Sequence, residues 1–250
     1  MAQTTVHPPP ARHRGFIPDR YSEPALVRGA WLGFLAGLLW LGSPGVVSAD
    51  EYSQRTHYSA RLFSGGTLVV ESRVGDIHVT GWDDPRVEIE AEKVVRAGSQ
   101  ARADALFPRL RVLIGGQDEE VRLRTIYPPR RVWRPFRGES KLTVNFDIRM
   151  PYDAALVLTC VDGDVKVAGV SGREALRVNY GDVEIDVPSV WALRSFYAHT
   201  WLGYIQSDLH GTQQDGSGVK QQVSFWNPNG KQDVAVRVRM GGVFVYSGAP

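Results

Sequence analysis

The chain has 250 residues, 43% hydrophobic and 22% charged, with 29 Lys and Arg against 27 Asp and Glu. That supports one substantial domain with an appendage. A single cysteine, Cys160, excludes an internal disulfide.

Residues 1–28 hold five prolines (Pro8, Pro9, Pro10, Pro18 and Pro24) and no apolar periodicity, the composition of a disordered segment. Residues 29–49 begin with the uncharged run GAWLGFLAGLLWLG and continue as SPGVVSA. Arg12, Arg14, Arg20 and Arg28 precede the run, and Val47-Ser48-Ala49 places small residues where a signal peptidase cuts. The expectation is a cleaved signal and a mature domain over residues 50–250. The rival is an uncleaved anchor, because residues 30–48 give 19 positions without a charge and so a membrane contact. Ser43-Pro44-Gly45 favours cleavage, while the long preceding segment favours retention. Both put residue 50 onward outside the cytoplasm: in the periplasm, at the outer surface, or anchored on the extracytoplasmic side. With no cysteine near the cut, a lipoprotein anchor is excluded. Residues 1–49 contain four of the 29 basic and two of the 27 acidic residues, which leaves 25 against 25. The mature chain is therefore near neutral and makes no case for nucleic acid as a partner.

After a short lead-in, residues 67–79 and 86–95 read as strands, the second alternating through Val87, Ile89 and Ala91. SQARADALFPRL, Ser99 to Leu110, opens on a serine cap and carries apolar residues at helical spacing, predicting one short helix that stops near Pro108. Strands follow at 109–114, 121–126 and 142–150, with the loop YPPRRVWRPFRGES before the last. In that loop Arg130, Arg131, Arg134 and Arg137 interleave with Trp133 and Phe136, a mix that grips phosphate, sugar acids or a lipid headgroup surface. The competing reading is a solvated loop whose aromatics pin it to the domain.

Residues 155–188, ALVLTCVDGDVKVAGVSGREALRVNYGDVEIDVP, write one unit twice: strand, Gly-Asp turn, strand. Looser copies are VESRVGDIHV at 70–79, TWLGYIQS at 200–207 and VRVRMGGVFV at 236–245. When Gly75, Gly163, Gly181, Gly203 and Gly241 are aligned, the positions five and three before and two and four after are apolar or small. Most alternate positions are polar or charged, including Asp76, Asp164 and Asp182 directly after glycine. A period of two with one apolar face is a half-buried strand. Units of about 20 residues suit the rungs of a solenoid. The intervals from Gly163 are 18, 22 and 38 residues, the last spanning about two rungs. The fold class is therefore all-β: a repetitive β-solenoid or β-helix-like domain with one short helix. Glycine permits a positive φ at each turn, and Asp can accept a nearby backbone N–H. Calcium binding by these pairs is the minor alternative, weakened because Tyr204 and Gly242 replace Asp in later copies. Residues 210–222 and 227–233 read as loops, and the strand pair at 234–246 closes the domain.

An export signal, VESRVGDIHVTGW, a single Ala-rich helix, VNFDIRMP leading into VDGDVKVAGVSG, and NYGDVEI together resemble the putative-adhesin family of unknown function, also called the DUF4097 or toast-rack type, over about residues 60–248. The resemblance implies a β-solenoid-like extracytoplasmic domain of bacterial envelope proteins, tied to envelope sensing or surface contact, with no catalytic residues to carry over. Gly203-Tyr204 and Gly241-Gly242 depart from its Gly-Asp pattern.

The sequence contains no nucleophile elbow, zinc-protease, phosphate-loop or dinucleotide motif. His57, His78, His199 and His210 are not at metal-ligand spacing, so no metal and no cofactor are expected. Cys160 falls in the inward column and reads as an inert core thiol. The aromatic set Trp191, Phe196, Tyr197, Trp201, Tyr204, Phe225, Trp226 and Phe244 reads as a cap over one solenoid end, with sugar stacking as the alternative. The function expected is a non-enzymatic, adhesin-like binding or envelope-sensing module whose partner is an envelope or surface glycan, lipid or protein. The alternative is a carbohydrate-active enzyme on the same scaffold, since paired carboxylates are a geometric signature.

Overall fold

Alternation of one apolar and one polar column gives each repeat two strands that can bury a single face, so neighbouring copies must stack to hide the other's edge. The computed structural model describes residues 50–128, 141–217 and 219–248 and shows that stack. Its elements in chain order are β1 (Asp50–Val74), β2 (Ile77–Trp82), β3 (Arg86–Ala97), α1 (Gln100–Leu106) with a 3-10 turn (Phe107–Arg109), β4 (Arg111–Gly115) and β5 (Asp118–Ile126). There follow β6 (Leu142–Pro151), β7 (Ala155–Asp162), β8 (Val165–Ala168), β9 (Glu174–Tyr180), β10 (Val183–Val187) and β11 (Leu193–Leu202). The last are β12 (Ile205–Ser207), β13 (Gln213–Ser217), β14 (Lys220–Trp226), β15 (Gln232–Met240) and β16 (Val243–Ser247).

Hydrogen bonds join the strands into one open path that forms two layers, with β1 belonging to both. Sheet A runs from the first half of β1 through β3, β6, β2, β8, β10 and β16 to β12. Sheet B runs from the second half of β1 through β7, β9, β15, β11 and β14 to β13, while β5, with β4 on its outer edge, pairs with the other side of β1. The inward columns meet between the layers: Val70, Leu158, Leu176, Val236 and Ala198 from sheet B, and Ile77, Val165, Val183, Val243 and Ile205 from sheet A, all buried. Each Val, Leu or Ile side chain placed there contributes about 1.5–3 kcal/mol.

A rung is a strand of sheet B, a glycine turn and a strand of sheet A. Five are present among the described residues: β1/β2, β7/β8, β9/β10, β15/β16 and β11/β12, stacked in parallel in that spatial order. The final repeat of the chain therefore does not close the domain; it lies inside the stack, between the third and fourth repeats. The reason is in residues 210–222, which are not a loop: β13 and β14 form a hairpin there, and β14 pairs antiparallel with one edge of β11. Its other edge then takes β15, in the space between β9 and β11.

The turns stack as tightly as the strands. A Cβ on Gly163 would lie 2.2 Å from the Gly75 carbonyl oxygen, one on Gly181 2.2 Å from that of Gly163, one on Gly241 2.0 Å from that of Gly181, and one on Gly203 2.0 Å from that of Gly241. Gly163 and Gly181 also have φ of 148° and 130°, so a side chain is excluded twice, by contact and by backbone conformation. The lead-in from Asp50 is also strand, paired with β3 from Asp50↔Ala97 to Arg61↔Arg86. Its sequence lacks a clean apolar alternation, and backbone pairing holds it in place. The helix matches the serine-cap expectation: Ser99 Oγ accepts from Arg102 N at 3.4 Å, and Pro108 sits in the 3-10 turn that follows.

Candidate functional site

In-register parallel rungs turn alternate polar positions of the sequence into rows that run across strands. On sheet A one row is His57, Glu90, Asp147, His78, Lys166, Glu184 and Phe244. Beside it, at the turn edge, runs a ladder built from the residues after the glycines. Asp76 N donates to Asn145 Oδ1 at 3.2 Å, Asp164 N to Asp76 Oδ1 at 3.0 Å, Asp182 N to Asp164 Oδ1 at 2.8 Å, and Gly242 N to Asp182 Oδ1 at 2.6 Å. Each Asp thus serves the amide of the neighbouring rung rather than its own turn. The ladder ends at Gly242, where no side chain exists to accept the next amide and the Tyr204 and Phe244 rings pack edge to face at 5.3 Å. A Cβ on Gly242 would come 3.1 Å from the Phe244 ring and 3.2 Å from that of Tyr204, so a side chain there would press on this aromatic pair.

Together these rows line an open groove of about 730 Å³ whose carboxylates are Asp76, Glu90, Glu92, Asp147, Asp164, Asp182 and Glu184. Much of that charge is answered locally. Lys166 Nζ lies 2.7 Å from Glu184 Oε1, and Arg55 lies 3.1 Å from Glu92 and 3.6 Å from Glu90. The hydrogen bond to Glu184 raises Lys166, as that to Glu92 raises Arg55, above the ordinary values of these cations. Among the described residues, no group of three or more His, Cys, Asp or Glu side chains is placed to hold a metal ion.

The residues singled out in the sequence divide three ways. The turn glycines and their aspartates are brought into one column. Arg130, Arg131, Trp133, Arg134 and Arg137 lie outside the described residues. The aromatic set forms the expected cap only in part: Phe196 is core and Phe225 on β14 packs against it, while Trp191, Trp201 and Trp226 are 86%, 63% and 68% exposed. Covering of sheet B at that end falls to the β13–β14 hairpin, which carries Phe225.

Two buried titratable groups complete the interior. Cys160 Sγ sits 3.8 Å from the Gly75 carbonyl oxygen, and burial pushes its thiol up to about 11. Glu174, not singled out in the sequence, occupies an inward position between Leu156 and Val234. Burial raises it to about 8, opposed in part by the bond from Gln232 Nε2 at 3.0 Å. The same amide donates to Val170 O at 3.0 Å. The signal missed was a glutamate in phase with the apolar column, seven residues ahead of Gly181.

No family model matches the chain, and no curated protein matches it significantly. Among solved structures, a putative cell adhesion protein from Clostridium sporogenes is similar at 10% identity and a TM-score of 0.43, covering 78% of this chain and 100% of its own. A putative adhesin from Bacteroides fragilis has 12% identity and a TM-score of 0.25 over 78% of this chain and 97% of its own. A putative lipid binding protein from Parabacteroides distasonis has 8% identity and a TM-score of 0.24 over 81% and 96%. At these scores the likenesses carry no argument, and the fold class, an open all-β stack of solenoid type, rests on the strand pairing itself.

Proposed function

We propose that the chain is an exported cell-envelope module that binds or senses surface material without transforming it. The observation that supports this most is the row architecture: stacked rungs repeat polar and charged side chains across adjacent strands on a hydrogen-bonded scaffold. Such a face suits many weak contacts made at once. Residues 1–49 would direct export, and mass spectrometry of the envelope fraction should find a mature N-terminus at or near Asp50. An intact segment from Met1 to Arg28 would replace cleavage by anchoring.

The partner class is a glycan, lipid or protein of the envelope or surface. The Arg130–Arg137 loop is proposed as one contact: serine at Arg130, Arg131, Arg134 and Arg137 should weaken binding to anionic envelope material at low salt without lowering the melting temperature. Arrays of glycans and lipids probed with the full chain test the whole reading. Retention of at least one class without turnover is expected; retention of none sinks it. The second reading, a carbohydrate-active enzyme, draws on the groove, where Glu90 and Asp147 face each other across β3 and β6. Release of reducing ends from any arrayed glycan, lost in Asp147→Asn, would put it first.

A further inference from the structure

The outer face of sheet B carries charge of the opposite sign from the groove on sheet A. Its central row is Thr159, Arg177, Arg237, His199 and Gln222, from β7, β9, β15, β11 and β14. Arg177 and Arg237 are exposed and directly opposite each other on adjacent strands. Their stems therefore start about 4.8 Å apart. Arg239 stands two residues along β15 on the same face. Lys220 adds a fourth cation, its Nζ 5.9 Å from the centre of the Trp201 ring. Among the described residues Arg177, Arg237, Arg239 and Lys220 form no ion pair, whereas Arg55, Arg122, Arg124 and Lys166 all do.

Like charges side by side on adjacent strands repel, so two arginines in register on parallel β9 and β15 with no carboxylate between them make a local concentration of positive charge. His199 feels the same field: burial lowers its affinity for a proton, and Lys220 and Arg237 lower it further. Aromatic surface flanks the cations. Trp201 is exposed on β11, Trp226 is exposed at the end of β14, and half-buried Tyr197 lies between, its hydroxyl 3.3 Å from Gln222 Oε1.

We infer that the outer face of β9, β15, β11 and β14 is a binding surface for an acidic polysaccharide, whose carboxylates pair with Arg177, Arg237, Arg239 and Lys220 while sugar rings stack on Trp201 and Tyr197. Guanidinium groups meet carboxylates in a bidentate fork, and aromatic rings offer sugars an apolar face. The row runs along the stacking direction, so a linear polymer lying across the strands meets a new side chain at each rung. Gln222 and Ser224 supply hydrogen-bonding groups beside the rings, which suits sugar hydroxyls better than lipid tails. This inference rests on the module reading above and names its ligand class.

The test measures binding of the full chain to polygalacturonate, with neutral dextran, phosphatidylglycerol vesicles and duplex DNA as parallel probes. Polygalacturonate should bind, weaken as salt rises, and be preferred over the other three. Arg177→Ser/Arg237→Ser/Arg239→Ser should lose about tenfold or more in affinity and much of the salt dependence. Trp201→Ala should lose affinity with the salt dependence kept. Neither variant should lower the melting temperature, because the substituted side chains are exposed, and the triple variant, relieved of the facing arginines, should melt at or slightly above the wild type. Equal affinity of the triple variant, or equal or tighter binding to vesicles or DNA, overturns the inference. So does a salt-sensitive dimer that the triple variant abolishes, which would make a second copy the occupant. Retention of array glycans with no affinity for polygalacturonate overturns this inference and leaves the module reading standing; retention of nothing sinks both.

Discussion

The two outer faces are built by the same repeat, with the same alternation and register, yet sheet B, whose flanks pair Arg124 with Glu71 and Arg194 with Asp233, leaves the cations of its central row unpaired, while the groove on sheet A satisfies most of its carboxylates. On sheet A, Asp76, Asp164 and Asp182 serve backbone amides of the next rung and Lys166 is paired with Glu184. On sheet B, Arg177 and Arg237 confront each other without a carboxylate. The difference arises from which rungs are neighbours. In chain order the strand after β9 on sheet B is β11, which would put His199 beside Arg177; the inserted rung puts Arg237 there instead. A face that spends its charge on folding is a structural surface, and one that leaves it unspent is available for a ligand.

The comparison assumes that both faces ride on one core and one turn column, so the largest effects should be common to both. Gly163→Ala forces a Cβ to 2.2 Å from the Gly75 carbonyl at a positive φ. It should cost several kcal/mol or prevent folding. Val183→Asp buries an unpaired charge in the sheet A column and should cost about as much. Thermal melts of either variant indistinguishable from wild type would mean that the column is wrong.

Next in size is the pH response of Glu174, beneath sheet B. The folded chain holds its proton up to about 8, while an unfolded glutamate releases it near 4.5. The folded state therefore binds more protons between these values, and stability is greatest below about 4.5, falls through the interval and levels above 8. Glu174→Gln should remove that fall and be worth a few kcal/mol at pH 8. Denaturant midpoints with the same pH slope in both proteins would contradict this. The buried thiol on adjacent β7 gives an independent check on burial: Cys160 should resist alkylation until denaturant is added.

Smaller still are the substitutions that separate the faces. Asp164→Ala leaves the Asp182 amide without its acceptor and should cost about 1 kcal/mol. Lys166→Ala breaks only an exposed pair and should change stability by under about 0.5 kcal/mol. Arg237→Glu, by contrast, replaces a like pair with an opposite one and should stabilise by a few tenths of a kcal/mol. A loss for Arg237→Glu equal to that for Asp164→Ala would erase the distinction between the faces.

Much of this was legible in the sequence because it is periodic. The inward columns through Val70, Leu158 and Leu176, and the glycines of the turns, follow from alternation alone. What stayed hidden depends on pairing between distant segments. The strand at Asp50–Arg61 has only a weak alternation, Tyr52, Thr56, Tyr58 and Ala60 being half-buried among polar residues, and its pairing with β3 is not written in it. The hairpin in residues 210–222 is rich in Gly and Gln, which reads as loop until β11 offers an edge. The row of arginines could not be seen because Arg177 and Arg237 are 60 residues apart and meet only through the inserted rung. Sequence fixes which way a side chain points, and topology fixes what stands beside it.

That topology is the claim on which the cationic face depends, and engineered cysteines read it directly. Ala235 on β15 pairs with Ala175 on β9 and with Tyr197 on β11. Cross-strand neighbours lie within the Cα separation of about 4.4–6.8 Å that a disulfide needs. Under mild oxidation the double variant Ala175→Cys/Ala235→Cys should form an intramolecular disulfide, and Ala175→Cys/Tyr197→Cys should not. A cross-link in the second variant and none in the first would restore the chain-order stack and remove the row of arginines with it.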